Sequence, residues 1–180
     1  MADEQDILKV SIENKVCLLT LNRPERRNAL SRQMNAEICN AILAADVNPE
    51  VSLIAITGAG AAFCAGADLK DARATDTSGE RFRGPLQRPE RAVTEVMIDA
   101  RKPMLAIVNG PATAGGFELV LACDMRVAAD TAWFSLPEAR RGMGAHFASV
   151  VLPQMIPMGI AMEWLYTGRK VSLEEAARWG

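Results

Sequence analysis

Two glutamates and two runs of small residues are the parts of this 180-residue sequence whose types and spacing can do chemistry. Glu118 follows Gly115 by three positions, about one helical turn or ~4.5 Å of rise, and Gly115 and Gly116 lie where a helix is predicted to begin. Unpaired N–H groups and the positive end of the helix dipole gather at such a point and attract developing negative charge. Glu138 closes the apolar run Trp133-Phe-Ser-Leu-Pro-Glu138. Two carboxyl groups in apolar surroundings, each raising the cost of charging the other, can divide acid and base roles near neutral pH. The run from Phe63 to Ala67 has almost no side-chain bulk, so a ligand can approach its backbone N–H groups closely. Strands lead into both small-residue runs, and two strands of one sheet would aim both turns at a single oxygen.

The elements that must position these groups alternate along the chain. Leu8, Val10 and Ile12 alternate with polar residues as in a half-buried strand, and Asn14-Lys15 turns the chain into a second strand over Val16–Leu21. Ser31 caps a helix carried by Met34, Ile38, Ile42 and Ala45 and stopped at Asn48-Pro49. Buried strands follow over Ser52–Thr57 and Met104–Asn109. Between them, Arg73 to Arg88 is polar and aperiodic and is predicted as a loop, with Pro89 as the first residue of a helix bearing Val93, Val96, Met97 and Ala100. Phe117–Ala122 reads as helical, Met125–Ala129 as extended and Pro157–Leu165 as helical. Ser172-Leu-Glu-Glu175 is a capping box that opens a last helix. This order indicates an α/β chain with much parallel pairing, in one domain over residues 1–180.

Composition narrows the function. Hydrophobic residues make up 49% and charged residues 23%, with a formal net charge of −2, which fits a globular protein. A nucleic-acid binder would need a basic field and stacking aromatics, and aromatics are 5%. Four cysteines without close pairs and a single histidine argue against a metal cage. The acidic, polar N-terminus is unlike a secretory or mitochondrial presequence and predicts a reducing, cytoplasmic setting. The uncharged stretch from Gly142 to Met162 contains Pro153, Gln154, Pro157 and His146, and reads as buried or substrate-facing protein rather than a membrane span.

Four blocks in order, Asn22-Arg-Pro-Glu-Arg-Arg-Asn-Ala-Leu30, Thr57-Gly-Ala-Gly-Ala-Ala-Phe-Cys-Ala-Gly-Ala-Asp-Leu-Lys70, Asn109-Gly-Pro-Ala-Thr-Ala-Gly-Gly-Phe-Glu118 and Phe134-Ser-Leu-Pro-Glu138, resemble the enoyl-CoA hydratase/isomerase (crotonase) superfamily. The resemblance runs from Ile7 to the last residue. It implies a crotonase-like spiral of ββα units, coenzyme A thioester substrates with no tightly bound cofactor, and association as homotrimers or pairs of trimers. It further implies that Ala67 and Gly115 donate the two N–H groups of an oxyanion hole. Glu118 and Glu138 match the two catalytic glutamates of the hydratases, which add water across C2=C3 of a 2-enoyl-CoA in the syn sense to give a 3-hydroxyacyl-CoA. Ala65, Gly66, Asp68, Leu69 and Lys70 match the pantetheine-binding stretch, with Arg23, Arg26, Arg27 and Lys70 as candidates for the coenzyme phosphates.

His146 and Phe147 are bulkier than the usual occupants of the bend after Glu138, which implies an atypical acyl pocket. Asp68 is expected to fix its turn through backbone hydrogen bonds, and Cys64 to be a small buried residue. Chains of this superfamily usually continue into a C-terminal helical region beyond the segment matching Ser172–Gly180. The expectation is that this region is absent here and that affinity for CoA and assembly are impaired. The alternatives to a hydratase are an enoyl-CoA isomerase or other CoA-thioester enzyme on the same scaffold, or a catalytically silent CoA-binding subunit.

Overall fold

In a computed structural model describing residues 6–74 and 91–180, β1 (Leu8–Glu13) and β2 (Val16–Leu21) form an antiparallel hairpin, turned by Asn14 and Lys15, both at positive φ. Three further strands, β3 (Leu53–Gly58), β4 (Met104–Val108) and β6 (Met125–Ala128), join β2 in parallel, giving the order β1-β2-β3-β4-β6. A smaller sheet joins β5 (Ala112–Thr113), β7 (Trp133–Ser135) and β8 (Val171–Ser172). The helices are α1 (Arg32–Val47), α2 (Leu69–Ala74), α3 (Val93–Asp99), α4 (Gly115–Leu121), α5 (His146–Met155), α6 (Met158–Thr167) and α7 (Leu173–Trp179). Strands feeding helices in turn yield the α/β chain with parallel pairing that the sequence order predicts, in the crotonase-like arrangement that the resemblance implies.

The register explains which face is core. Cys17, Ile54 and Met104 lie in one row and Leu19, Ile56 and Ala106 in the next, and all six are buried. Met34, Ile38, Ile42 and Ala45 are buried on α1, which packs over the hairpin and β3 and against α3. Ser31 Oγ accepts the Met34 N–H at 3.1 Å and fixes where α1 begins. The opposite sheet face carries the row Leu18, Ala55, Leu105 and Met125, and at its β6 edge Met125 and Val127 are about half exposed.

Four expectations change. Val10 and Ile12 alternate as predicted but stay 51% and 46% exposed, because β1 is an edge strand reaching past the cover of α1. Arg73, expected to open a loop, instead lies in α2, which Asp68 starts by accepting the Lys70 N–H at 3.2 Å. Residues 75–88 of that loop and Pro89 lie outside the described residues, and α3 runs from Val93. The stretch after Gly142 holds two helices, with Pro153 tolerated near the end of α5, and several of its apolar side chains, such as Val150 and Met158, face outward. At the last helix Ser172 Oγ accepts the Glu175 N–H as expected, while the Glu175 carboxylate turns to Arg169 and Trp164.

Candidate functional site

The loop between β3 and α2 is shaped by a buried residue 31 to 35 positions upstream of the carbonyls it binds. Asn28 donates from Nδ2 to the carbonyls of Ala59, Ala62 and Phe63 at 2.9, 2.8 and 3.2 Å, and its Oδ1 accepts the Arg23 N–H at 2.9 Å. The same loop is stitched to the strand beyond β4: the Phe63 N–H donates to the Pro111 carbonyl and the Thr113 N–H to the Cys64 carbonyl. Gly116 lies so close beneath Cys64 that an added Cβ would sit 2.3 Å from the Cys64 carbonyl oxygen. Gly66, at φ +83°, lies against Ala114, where an added Cβ would come within 2.7 Å of the Ala114 Cβ. Two glycines thus let the two small-residue runs touch through their backbones.

That contact sets two amides side by side. The Gly66 carbonyl accepts from the Leu30 N–H and the Asp68 N–H donates to the Leu30 carbonyl, which clamps the peptide units around Ala67. The position of a Cβ on Gly115 would lie 3.9 Å from the Ala67 nitrogen. Gly115 is the first residue of α4, where an N–H has no intrahelical acceptor. Neither the Ala67 nor the Gly115 N–H has an acceptor among the described residues. Ala114 holds φ 51° and ψ −130°, a backbone conformation costly for a residue with a Cβ, while its N–H donates to the Ser135 carbonyl at 2.9 Å.

Two carboxylates share the cleft with these amides. Glu118 stands on the first turn of α4, and its Oε1 accepts the Ala148 N–H of α5 at 3.0 Å. The N-cap of α5 is Ala145, which has no side-chain acceptor, so Glu118 supplies the missing cap from another helix. Glu138 lies in the 3-10 turn Pro137–Arg141 and is 9% exposed, and its Oε2 is buried without a partner among the described residues. Burial holds its carboxyl above the ordinary glutamate range, and the Glu118 charge adds to this, against its own backbone N–H and His146, which pull it down. A cleft of about 810 Å³ is lined by Ala65, Ala67 and Leu69, by Thr113 to Gly115, by Glu118 and Glu138, and by Arg141, Met143 and His146. Such a cleft can hold a carbonyl oxygen on the two amides with the two acids on the atoms beside it.

The remaining sequence candidates fall at different places. Arg23 is engaged: its guanidinium donates to the Ala29 carbonyl at 2.8 Å and pairs with Asp68 at 3.1 Å. Burial pushes the Asp68 carboxyl up, but Arg23 and the α2 amides hold it below its ordinary value, and its two oxygens serve the ion pair and the helix start. Arg26 and Arg27 are exposed at the 3-10 turn Pro24–Arg26 and its left-handed end, and Lys70 is exposed on the first turn of α2. Gly66 is buried between the two runs. His146 lines the cleft, whereas Phe147 does not: it is half-buried and packs against the core. Its neighbour Ala148 turns inward to Glu118, so one residue of the bend faces the cleft and the next faces the protein. Burial raises the Cys64 thiol to about 12, and its Sγ meets the Asn28 carbonyl at 3.1 Å.

Four contributors to the site carry no clear sequence signal. Asn28 stands inside a block that was singled out, but nothing local tells that its amide crosses to the β3 loop. Arg141 and Met143 line the cleft from the bend in which His146 and Phe147 are the residues expected to shape the acyl pocket. The Ala148 N–H that holds Glu118 is a backbone group with no sequence signal.

The fold, with strand-to-helix turns converging on paired amides and two glutamates, defines a crotonase-like protein. The family model described as enoyl-CoA hydratase/isomerase matches residues 11–180, and the chain belongs to that family. It is 37% identical over 182 residues to the crotonyl-CoA hydratase of Syntrophomonas wolfei, covering 100% of this chain and 68% of the relative. It is 32% identical to the peroxisomal Delta(3,5)-Delta(2,4)-dienoyl-CoA isomerase of Arabidopsis thaliana, covering 95% and 65% of the two chains. The crystal structure of an enoyl-CoA hydratase from Mycobacterium tuberculosis H37Rv superposes with a TM-score of 0.83 at 33% identity, covering 97% of this chain and 66% of the other. The chain therefore spans about two thirds of the length of the relatives it matches. Among the described residues no helix is long and apolar enough to cross a membrane, and no group of acids, cysteines and histidine is placed to hold a metal ion.

Proposed function

We propose that the protein is an enoyl-CoA hydratase, adding water reversibly and in the syn sense to a 2-enoyl-CoA to give the 3-hydroxyacyl-CoA. The observation that carries this is the convergence, in one cleft, of two amides without acceptors and two carboxylates held in unlike environments. The thioester carbonyl oxygen accepts from the Ala67 and Gly115 N–H groups, which stabilise the enolate as charge moves onto it. One such donor is typically worth ~3 kcal/mol. Water lies between the glutamates: one carboxylate takes its proton as oxygen attacks C3, and the other carboxyl delivers a proton to C2. Glu118 and Glu138 divide the acid and base roles between them, and such assistance contributes roughly 10²–10⁴-fold.

The coenzyme enters as part of the substrate, its pantetheine along Ala65 to Leu69 and its phosphates toward Arg26, Arg27 and Lys70. No other cofactor takes part. A cytoplasmic setting and association as trimers or pairs of trimers complete the reading.

The test is spectroscopic. Crotonyl-CoA should lose its conjugated thioester absorbance near neutral pH in the presence of the protein, and Glu118→Gln and Glu138→Gln should each suppress that loss by at least ~10²-fold. Glu118→Gln keeps an oxygen for the Ala148 N–H, so its fold should survive the loss of activity. Migration of the double bond without water addition would identify an isomerase instead, and CoA binding without turnover of any enoyl-CoA would identify a silent subunit.

A further inference from the structure

The cleft holds a cation that its two-glutamate chemistry does not require. Arg141 and His146 both line it, on the single bend that follows Glu138. Arg141 differs from the other cations near the site. Arg23 is paired with Asp68, and Arg140 donates to the Thr167 carbonyl, but Arg141 has no hydrogen-bond or ion-pair partner among the described residues. It makes no ion pair with Glu138, whose Oε2 is buried without a partner among the described residues. Arg141 is thus not the counter-ion of the glutamate three positions before it. A guanidinium without a protein partner, facing an open cleft beside Met143, is a fork of donors matched to a carboxylate in two-point contact. The apolar part of the same bend, Met143 between Gly142 and Gly144, suits the methylenes that would lead to such a group.

We infer that the acyl group taken by this cleft ends in a carboxylate, bound by Arg141, so that the preferred substrates are ω-carboxy-2-enoyl-CoA thioesters rather than plain alkenoyl ones. The inference rests on the CoA-thioester reading above and sharpens it to a substrate class. The reacting atoms stay at Ala67, Gly115 and the two glutamates, and Arg141 recognises the far end of the chain. His146 lines the same side of the cleft.

The experiment compares a neutral and a carboxylated acyl-CoA of equal chain length, 2-hexenoyl-CoA and the CoA monothioester of 2-hexenedioic acid, with the unaltered protein and with Arg141→Gln, Arg141→Lys and Arg141→Glu. The expected result is a kcat/KM at least about 10-fold higher for the carboxylated substrate, the size of a charge-assisted hydrogen bond partly open to water. The ratio should fall to about one in Arg141→Gln, recover in part in Arg141→Lys and drop below one in Arg141→Glu. Calorimetric binding of the saturated pair, hexanoyl-CoA and adipoyl-CoA, reads the same preference without chemistry. Turnover of both substrates at equal kcat/KM, or a preference that Arg141→Gln leaves intact, overturns the carboxylate inference while sparing the hydratase reading. Preferential binding of adipoyl-CoA that depends on Arg141, with no turnover of either enoyl-CoA, supports the inference and overturns the hydratase. Equal binding of the two saturated thioesters without turnover overturns both.

Discussion

Replacing Gly66 by alanine tests whether the two amides are set by contact between glycine backbones. The new Cβ would lie 2.7 Å from the Ala114 Cβ, 2.9 Å from the Thr113 carbonyl oxygen and 3.0 Å from the Gly115 nitrogen, all inside ordinary contact distance. At φ +83° the alanine itself costs ~1–2 kcal/mol. Relieving the contacts by moving two backbones costs a further ~1–3 kcal/mol, so the substitution should destabilise by about 2–5 kcal/mol. In a chain of this length each kcal/mol lowers Tm by roughly 2–4 °C. The group forced to move is the Gly115 N–H itself, so kcat on crotonyl-CoA should fall by about the value of one oxyanion donor, ~10²–10³-fold. Gly115→Ala is the internal control. Its Cβ would meet Leu30 Cδ1, Gly66 Cα and Ala67 N at 3.5, 3.7 and 3.9 Å, which is normal packing, and its stability should stay within ~1 kcal/mol of wild type. Thermal unfolding and steady-state hydration on both variants decide the matter. A Gly66→Ala protein with wild-type Tm and kcat, or one that outlasts Gly115→Ala on heating, would refute the reasoning.

Asn28→Ala should lower stability by ~2–4 kcal/mol in urea unfolding, because it strands carbonyls of the 59–63 loop that its amide satisfies; a loss under 0.5 kcal/mol would mean that the loop holds its shape alone. For Glu138 the folded-state pKa lies above the unfolded value, so its favourable contribution is present at pH below ~4.3 and is lost as pH rises through the raised value. Glu138→Gln should accordingly be more stable than wild type at pH 7 and lose that advantage toward pH 4, measured as the difference in unfolding free energy across pH; a difference independent of pH would dismiss the buried-charge account.

Much of the fold was legible because its signals are local. The α1 stripe Met34, Ile38, Ile42 and Ala45 and the Ser31 cap are within one helix, and the β3 and β4 strands are short apolar runs leading into glycine. The exposure of Val10 and Ile12 was not legible, since alternation tells which side chains share a face and not whether a neighbour covers it. In the site, the glutamates and small-residue turns stood out by type and spacing. Contacts made across the sequence did not: Asn28 reaches Phe63, Glu118 reaches Ala148, and Arg23 reaches Asp68. His146 and Phe147 show the same limit at the scale of two residues, where helix geometry alone sends one into the cleft and the other against the core.

The parallel register has a consequence for how the chain is made. Ile54 pairs with Met104, and Leu105 with Met125, so β3 waits for a partner that lies 50 residues later in the sequence. At a synthesis rate of roughly 5–20 residues per second, a nascent chain carries the open edge of β3 for several seconds. Closing so long a loop comes before any reward from the pairing, which makes such sheets slow to form. The cleft inherits this lateness, because Ala67 leaves the ribosome well before Gly115, Glu138 and the α5 amide that completes the Glu118 contact. The cleft is therefore assembled after the hairpin and first helix, whose contacts are local.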